Sequence, residues 1–203
     1  MTKADKFTTV RLAFAPIFLI IYMLPEWFPA SGFITGCILF PLLCFAEFTD
    51  FLDGFYARKM NSVSDFGKLY DPFADVVLHL SSFFCYVHTG YMSFIVLLLL
   101  FYRETGMLFL RMVAAKKGVA VGARKGGKLK TVLYIATSFV CLAMETMARL
   151  GVNISGFESI SSIIIVVMSI LCVLASYVSF VDYLISFKAI FFEKKLKKSG
   201  TAY

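Results

Sequence analysis

The chain has 203 residues, of which 60% are hydrophobic and only 16% are charged. A soluble domain carries about 45–50% apolar and about 25% charged residues, so this composition excludes an ordinary water-soluble protein and calls for lipid as the solvent. The formal net charge is +7, yet no nucleic-acid-binding motif is present, and we expect no nucleic-acid partner. The length suits one compact membrane domain, residues 1–203.

Six apolar segments approach the roughly 20 residues that a membrane helix needs. A short polar and basic segment precedes the first, and turn-forming residues separate the others, including Pro25 ahead of residues 29–32, Gly90 and Gly151. The sequence therefore predicts an all-α, polytopic protein of six transmembrane helices with a short N-terminal juxtamembrane segment. The predicted spans are residues 9–24, 33–55, 72–88, 92–113, 131–148 and 160–187.

Lysine and arginine are concentrated on one side of these spans. They lie before the first span, between the second and third, between the fourth and fifth, and after the sixth, whereas the opposite side carries only Arg149. Loops rich in lysine and arginine face the cytoplasm. Both termini are therefore predicted to be cytoplasmic, and anionic lipid is the expected partner of the C-terminal lysines.

Carboxylates near membrane segments are costly and mark functional sites. Asp50 and Asp53 end the second segment, and Asp71 and Asp75 begin the third. Each pair occupies one helix face, because residues three or four apart are neighbours on a helix. We expect the two faces to converge at the cytoplasmic edge of the membrane. Four close carboxylates require cations, so the sequence predicts two Mg²⁺ or Mn²⁺ ions about 3.5–4 Å apart that clamp a diphosphate.

Small and basic residues accompany the aspartates. Gly54 and Ala57 lie on the face of the first pair, and Gly67 lies one turn before the second. Small residues let a bulky ligand approach the backbone, or alternatively let helices pack closely. Arg58 is placed to bind phosphate, with a topology-setting charge as the alternative. Asp65 is predicted to cap the third helix.

The run from Asp50 to Asp75 reads D-x2-D-G-x2-A-R-x8-G-x3-D-x3-D. It resembles the signature of the CDP-alcohol phosphotransferases at every fixed position. The resemblance implies a six-helix enzyme, usually a homodimer, with a binuclear metal site. It also implies that Asp50, Asp53 and Asp71 bind the metals, while Asp75 lies at the metals and is the general base.

The same resemblance implies the reaction and the donor site. An acceptor hydroxyl attacks the lipid-linked phosphorus of CDP-diacylglycerol, and CMP leaves. The residues implied at the CDP part of the donor are Gly54, Ala57, Arg58 and Gly67, together with Thr8 in the N-terminal run Asp5-x2-Thr8-x2-Arg11.

Residues 103–131 point to the acceptor. Arg103-Glu104, Arg111, Gly118 and Gly127-Lys-Leu-Lys-Thr131 resemble bacterial phosphatidylglycerophosphate synthases. That resemblance implies glycerol 3-phosphate as the acceptor, phospholipid synthesis as the process and the bacterial inner membrane as the location. A dianionic acceptor needs several nearby cations, and the predicted ones are Arg103, Arg111, Lys128 and Lys130.

Two positions differ from those synthases: Val76 replaces their lysine, and Asp5 replaces their asparagine. Another acceptor therefore stays open, namely inositol phosphate, serine or an amino-alcohol. An ion-coupled transporter is the rival from another class, and it predicts carboxylates at the membrane midplane within two repeats. Here the carboxylates lie at one end, and no internal repeat is evident.

Overall fold

The computed structural model describes residues 3–60, 67–118, 125–153 and 156–199, without the side chains of residues 3–5, 50–60, 68, 125 and 189–199. Over these residues the regular structure is all helical, which confirms the predicted fold class. Each predicted segment corresponds to one α-helix. They are α1 (Lys3–Trp27), α2 (Gly32–Met60), α3 (Gly67–His88), α4 (Phe94–Lys116), α5 (Lys125–Arg149) and α6 (Glu158–Ser199).

The first helix extends a few residues beyond its predicted span. The sequence suggests a break at Pro25, but α1 continues through Pro25 to Trp27 and is followed by a 3₁₀ turn, Pro29–Ser31. Proline is tolerated in membrane helices because neighbouring groups satisfy the backbone that it frees. The capping role of Asp65 lies outside the described residues.

Two of the predicted turns are confirmed by their backbone. Gly90 lies in the turn after α3 and has φ 83°, and Gly151 lies in the turn after α5 and has φ 70°. Glycine adopts this left-handed conformation without a steric penalty. Ser93 then caps α4, since its side chain accepts a hydrogen bond from the backbone N of Ile95 at 3.3 Å.

The six helices pack in a ring, and two of them, α3 and α5, also contact each other across its centre. α1 packs against α2 and α3, α2 against α5, α5 against α6, α6 against α4, and α4 against α3, while α3 also meets α5 across the middle. Aromatic rings fill this centre: Phe83 of α3 and Tyr134 of α5 lie 5.2 Å apart between centroids. Such pairs contribute about 0.5–1.5 kcal/mol beyond their burial. The centre therefore holds α3 in a defined position.

The outer surface of the bundle is apolar. On α6, Ile163 and Val178 are 65% and 70% exposed, as expected for side chains that face lipid. Among the described residues, four helical stretches are long and apolar enough to cross a membrane: Lys6–Trp27, Pro29–Thr49, Gly126–Arg149 and Glu158–Lys188. The chain is an integral membrane protein.

A polar network around Arg149 ties three helices together at the end opposite the aspartates. The guanidinium donates to Glu145 Oε1 at 2.6 Å, to Thr35 Oγ1 at 2.9 Å and to the carbonyl of Tyr22 at 2.8 Å. Tyr91, in the turn after α3, hydrogen-bonds Glu145, and burial raises the pKa of Tyr91 to about 12. The one basic residue predicted on the outer side is thus a structural link between α1, α2 and α5.

Candidate active site

Helix α1 holds the two aspartates of α3. The Thr8 hydroxyl donates a hydrogen bond to Asp71 Oδ1, and Arg11 Nη1 donates to Asp75 Oδ1. The Arg11 side chain is 1% exposed, whereas that of Asp75 is 35% exposed. Asp71 and Asp75 are therefore fixed one turn apart on a single face of α3, with one carboxylate anchored to a buried guanidinium.

The other predicted metal ligands lie on α2, because Asp50 and Asp53 fall within Gly32–Met60. Their side chains are outside the described part of the chain, as are those of Ala57 and Arg58 and the surroundings of Gly54. Within the side chains that are described, no three His, Cys, Asp or Glu residues form a metal-binding group. The four-aspartate centre therefore stays a prediction.

The described residues of this region fit a hard divalent ion. Asp71 and Asp75 offer carboxylate oxygens, the ligands that Mg²⁺ and Mn²⁺ prefer. Both side chains are partly exposed, and Gly67, one turn before Asp71, is partly exposed as well. A cation could reach this face without displacing the bundle core.

Glu47 and His79 join α2 and α3 one turn further into the bundle than Asp50 and Asp75. Glu47 Oε1 lies 3.9 Å from His79 Nδ1, and both side chains are largely buried. The His79 ring packs edge-on against Tyr134 at 5.7 Å. The sequence analysis missed this contact, for which the signal is a further ionisable residue in each apolar segment, beyond the aspartates of the signature.

A cavity of about 340 Å³ opens between α3, α4, α5 and the part of α6 that contains Tyr183. Val76 and His79 form part of its α3 wall. It brings the predicted base together with all four predicted phosphate-binding cations, because its lining includes Asp75, Arg103, Arg111, Lys128 and Lys130.

Two of the four cations are held by a buried carboxylate. Arg103 donates from Nε to the carbonyl of Ser176 at 2.9 Å and from Nη1 to Glu104 Oε1 at 2.8 Å. Lys130 Nζ donates to the same Glu104 oxygen at 2.9 Å and lies 4.6 Å from the centroid of the Tyr134 ring. Neither side chain is a solvated loop charge.

The other two cations, Arg111 and Lys128, make fewer contacts with described protein groups. Arg111 lies 6.0 Å from the centroid of the Tyr183 ring. Its Nε is buried and has no hydrogen-bond partner among the described residues. Lys128 is exposed at the cavity rim. Because buried donors are almost always satisfied, the Arg111 guanidinium is a candidate for binding a ligand in this cavity.

The matching family model is CDP-alcohol phosphatidyltransferase, over residues 1–186. A Treponema pallidum protein named CDP-diacylglycerol–glycerol-3-phosphate 3-phosphatidyltransferase is 39% identical over 153 residues, which is 72% of this chain and 71% of that protein. A Bacillus subtilis protein of the same name is 36% identical over 63% of this chain and 69% of its own length. A Rickettsia typhi protein of that name is 28% identical over 84% and 90%. The family predicted from the aspartate signature is confirmed, and the chain belongs to the CDP-alcohol phosphatidyltransferases.

Proposed function

We propose that this enzyme transfers a phosphatidyl group from CDP-diacylglycerol to glycerol 3-phosphate, giving phosphatidylglycerophosphate and CMP, a step of phospholipid synthesis. The observation that carries the proposal is a cavity lined by both Asp75 and four cationic side chains. Its relatives from Treponema pallidum and Bacillus subtilis have names that describe this reaction.

The cavity suits an acceptor that carries a phosphate at one end and a hydroxyl at the other. The phosphate dianion binds Arg111 and Lys128 directly, with Arg103 and Lys130 beside them, because charge-assisted hydrogen bonds to phosphate are the strong ones. The free hydroxyl then points toward Asp75, which lines the same cavity.

Asp75 is the proposed general base. As the acceptor oxygen forms its bond to the lipid-linked phosphorus, the hydroxyl proton passes to the Asp75 carboxylate, and the bond from that phosphorus to the CMP oxygen breaks. Arg11 holds Oδ1 of Asp75, which orients the carboxylate toward the cavity.

The proposed metal ligands are Asp50, Asp53, Asp71 and Asp75, for two ions that are Mg²⁺ or Mn²⁺. When bound, such ions neutralise the donor diphosphate and the leaving CMP. Thr8 holds the Asp71 carboxylate next to the proposed donor site. The residues proposed to border the CDP group are Thr8, Gly54, Ala57, Arg58 and Gly67.

We further propose that residues 1–203 form one domain with six membrane crossings, including α3 and α4. The active site and both termini face the cytoplasm, because the lysine- and arginine-rich loops lie at the aspartate end. The bacterial inner membrane is the proposed location, and a homodimer the proposed assembly.

Inositol phosphate is the closest alternative acceptor, since it too brings a phosphate to the four cations. Serine or an amino-alcohol lacks a phosphate dianion, so the cations of this cavity would have no anionic group of the acceptor to bind. An ion-coupled transporter gives no reason for a cationic cavity beside carboxylates at one end of the bundle.

A panel of acceptors tests the proposal. Purified enzyme with CDP-diacylglycerol and Mg²⁺ should release CMP with glycerol 3-phosphate and far more slowly with inositol phosphate or serine. Preference for another acceptor would reject the assignment and keep the reaction class, and CMP release that needs no acceptor would reject transfer altogether.

A further inference from the structure

We infer that Glu104 is a positioning residue for the acceptor phosphate: its carboxylate aims Lys130 and Arg103 into the cavity and balances their charge while the acceptor is absent. The inference deepens the proposed function and rests on it. It concerns a residue that contacts the cations, and not the reacting atoms.

One oxygen of Glu104 accepts all the hydrogen bonds of this cluster, which we call the hub (Glu104, Arg103, Lys130 and Tyr134). Glu104 Oε1 accepts hydrogen bonds from Arg103 Nη1 at 2.8 Å, Lys130 Nζ at 2.9 Å and the Tyr134 hydroxyl at 2.9 Å. The Glu104 side chain is 3% exposed. A carboxylate removed from water in this way persists only with charged or hydrogen-bonding partners, and here it has three.

The hub also connects three helices below the cavity. Tyr134 of α5 pairs with the Ser176 hydroxyl of α6 at 2.6 Å, and Arg103 of α4 donates to the Ser176 carbonyl at 2.9 Å. Each cation is therefore restrained from two sides. Restraint of this kind lowers the entropy that a flexible lysine or arginine loses when it binds phosphate.

The cluster of Glu104, Arg103 and Lys130 forms part of the cavity wall, so it can act on a bound ligand as well as stabilise the packing of the helices. Glu104, Arg103 and Lys130 all line the cavity. An ammonium group has three N–H donors, and among the described residues Lys130 has one hydrogen-bond acceptor, Glu104. Donors therefore remain for a ligand phosphate on the cavity side.

Charge balance points to the same role. Glu104 neutralises one of its two cationic partners, so the hub carries one excess positive charge rather than two. Without an anion in the cavity, two adjacent buried cations would repel each other. The carboxylate keeps both in place until the acceptor phosphate arrives.

The main test is Glu104→Gln, which keeps the size and an acceptor oxygen but removes the charge. We expect the KM for glycerol 3-phosphate to rise roughly tenfold or more, the factor that one charge-assisted hydrogen bond represents. The KM for CDP-diacylglycerol should change by no more than about twofold. Equal changes in both KM values, or none, would overturn the inference.

A double-mutant cycle separates positioning from stability. Because Glu104 acts through Lys130 and Arg103, Glu104→Gln should lower kcat/KM for glycerol 3-phosphate less in the Lys130→Met background than in the wild type, whereas additive effects would contradict the inference. The matched control is Glu145→Gln, which breaks the buried pair with Arg149 at the other end of the bundle. That variant should lower Tm and leave the KM for glycerol 3-phosphate unchanged.

Two further measurements keep the test decisive. Should Glu104→Gln fail to fold, Tyr134→Phe removes one donor to the hub and should raise the same KM by roughly two- to tenfold; an unchanged KM would refute the inference. Should the wild type show no transfer to glycerol 3-phosphate, the proposed function fails by itself. Inorganic phosphate as a thermal-shift ligand then decides the inference, which requires weaker phosphate stabilisation in the variant than in the wild type.

Discussion

Replacing Arg111 tests the proposed binding site for the acceptor phosphate. Its guanidinium lines the cavity, its Nε is buried without a hydrogen-bond partner among the described residues, and its nearest described aromatic contact is Tyr183 at 6.0 Å. Arg111→Gln should therefore cost little packing and remove one of the four predicted phosphate-binding cations.

The expected magnitude follows from that geometry. A hydrogen bond to a charged group contributes about 1.5–3 kcal/mol, which corresponds to roughly 10- to 150-fold in affinity. The contact with Tyr183 adds at most about 1 kcal/mol at this distance. We expect the KM for glycerol 3-phosphate to rise within that range, while Arg111→Lys, which keeps the charge and loses the planar fork, should show a smaller rise.

The assay is CMP release at varied glycerol 3-phosphate and saturating CDP-diacylglycerol, with Tm as the check on folding. Lys128→Met is the comparison variant, and its effect should be smaller because that side chain is exposed at the rim. A KM for glycerol 3-phosphate within about twofold of wild type in folded Arg111→Gln would refute the assignment of this wall to the phosphate.

Three further predictions concern the base, the metals and the fold. Asp75→Asn should lower kcat by roughly 10²–10⁴-fold in protein that remains folded, and near-normal turnover would remove Asp75 as the base. Chelation with EDTA should abolish CMP release, with recovery on adding Mg²⁺ or Mn²⁺, and activity that survives chelation would contradict the metal site. Arg149→Met leaves the buried Glu145 without its partner and should cost roughly 3–5 kcal/mol of stability. Its Tm should fall while KM for both substrates stays constant, and an unchanged Tm would contradict the structural role.

The helices were predictable because lipid demands long apolar segments, and each of the six corresponds to a predicted span. The end of α1 was not, since Pro25 is a reliable helix breaker only in water. The network around Arg149 could be predicted only in part. Its partner Glu145 lies one turn earlier on the same helix, but the carbonyl of Tyr22 has no sequence signal.

The site also contains features that the sequence predicts and features that depend on how distant helices pack. Helical spacing puts Asp71 and Asp75 on one face of α3, and the structure has them there, each bonded to a residue of α1. Arg103 and Glu104 are adjacent in an apolar segment, so an interaction between them could have been expected from the sequence. Its completion by Ser176, 73 residues away from Arg103, depends on how α4 meets α6, which no local pattern encodes.

The most direct measurement of the central claim follows labelled glycerol 3-phosphate into lipid. Wild-type enzyme in CDP-diacylglycerol vesicles with Mg²⁺ should convert the label into an organic-extractable phosphatidylglycerophosphate, with one CMP released per label transferred, and Asp75→Asn should not. Label that stays in the aqueous phase while the wild type releases CMP, or equal incorporation by Asp75→Asn, would contradict phosphatidyl transfer at this cavity.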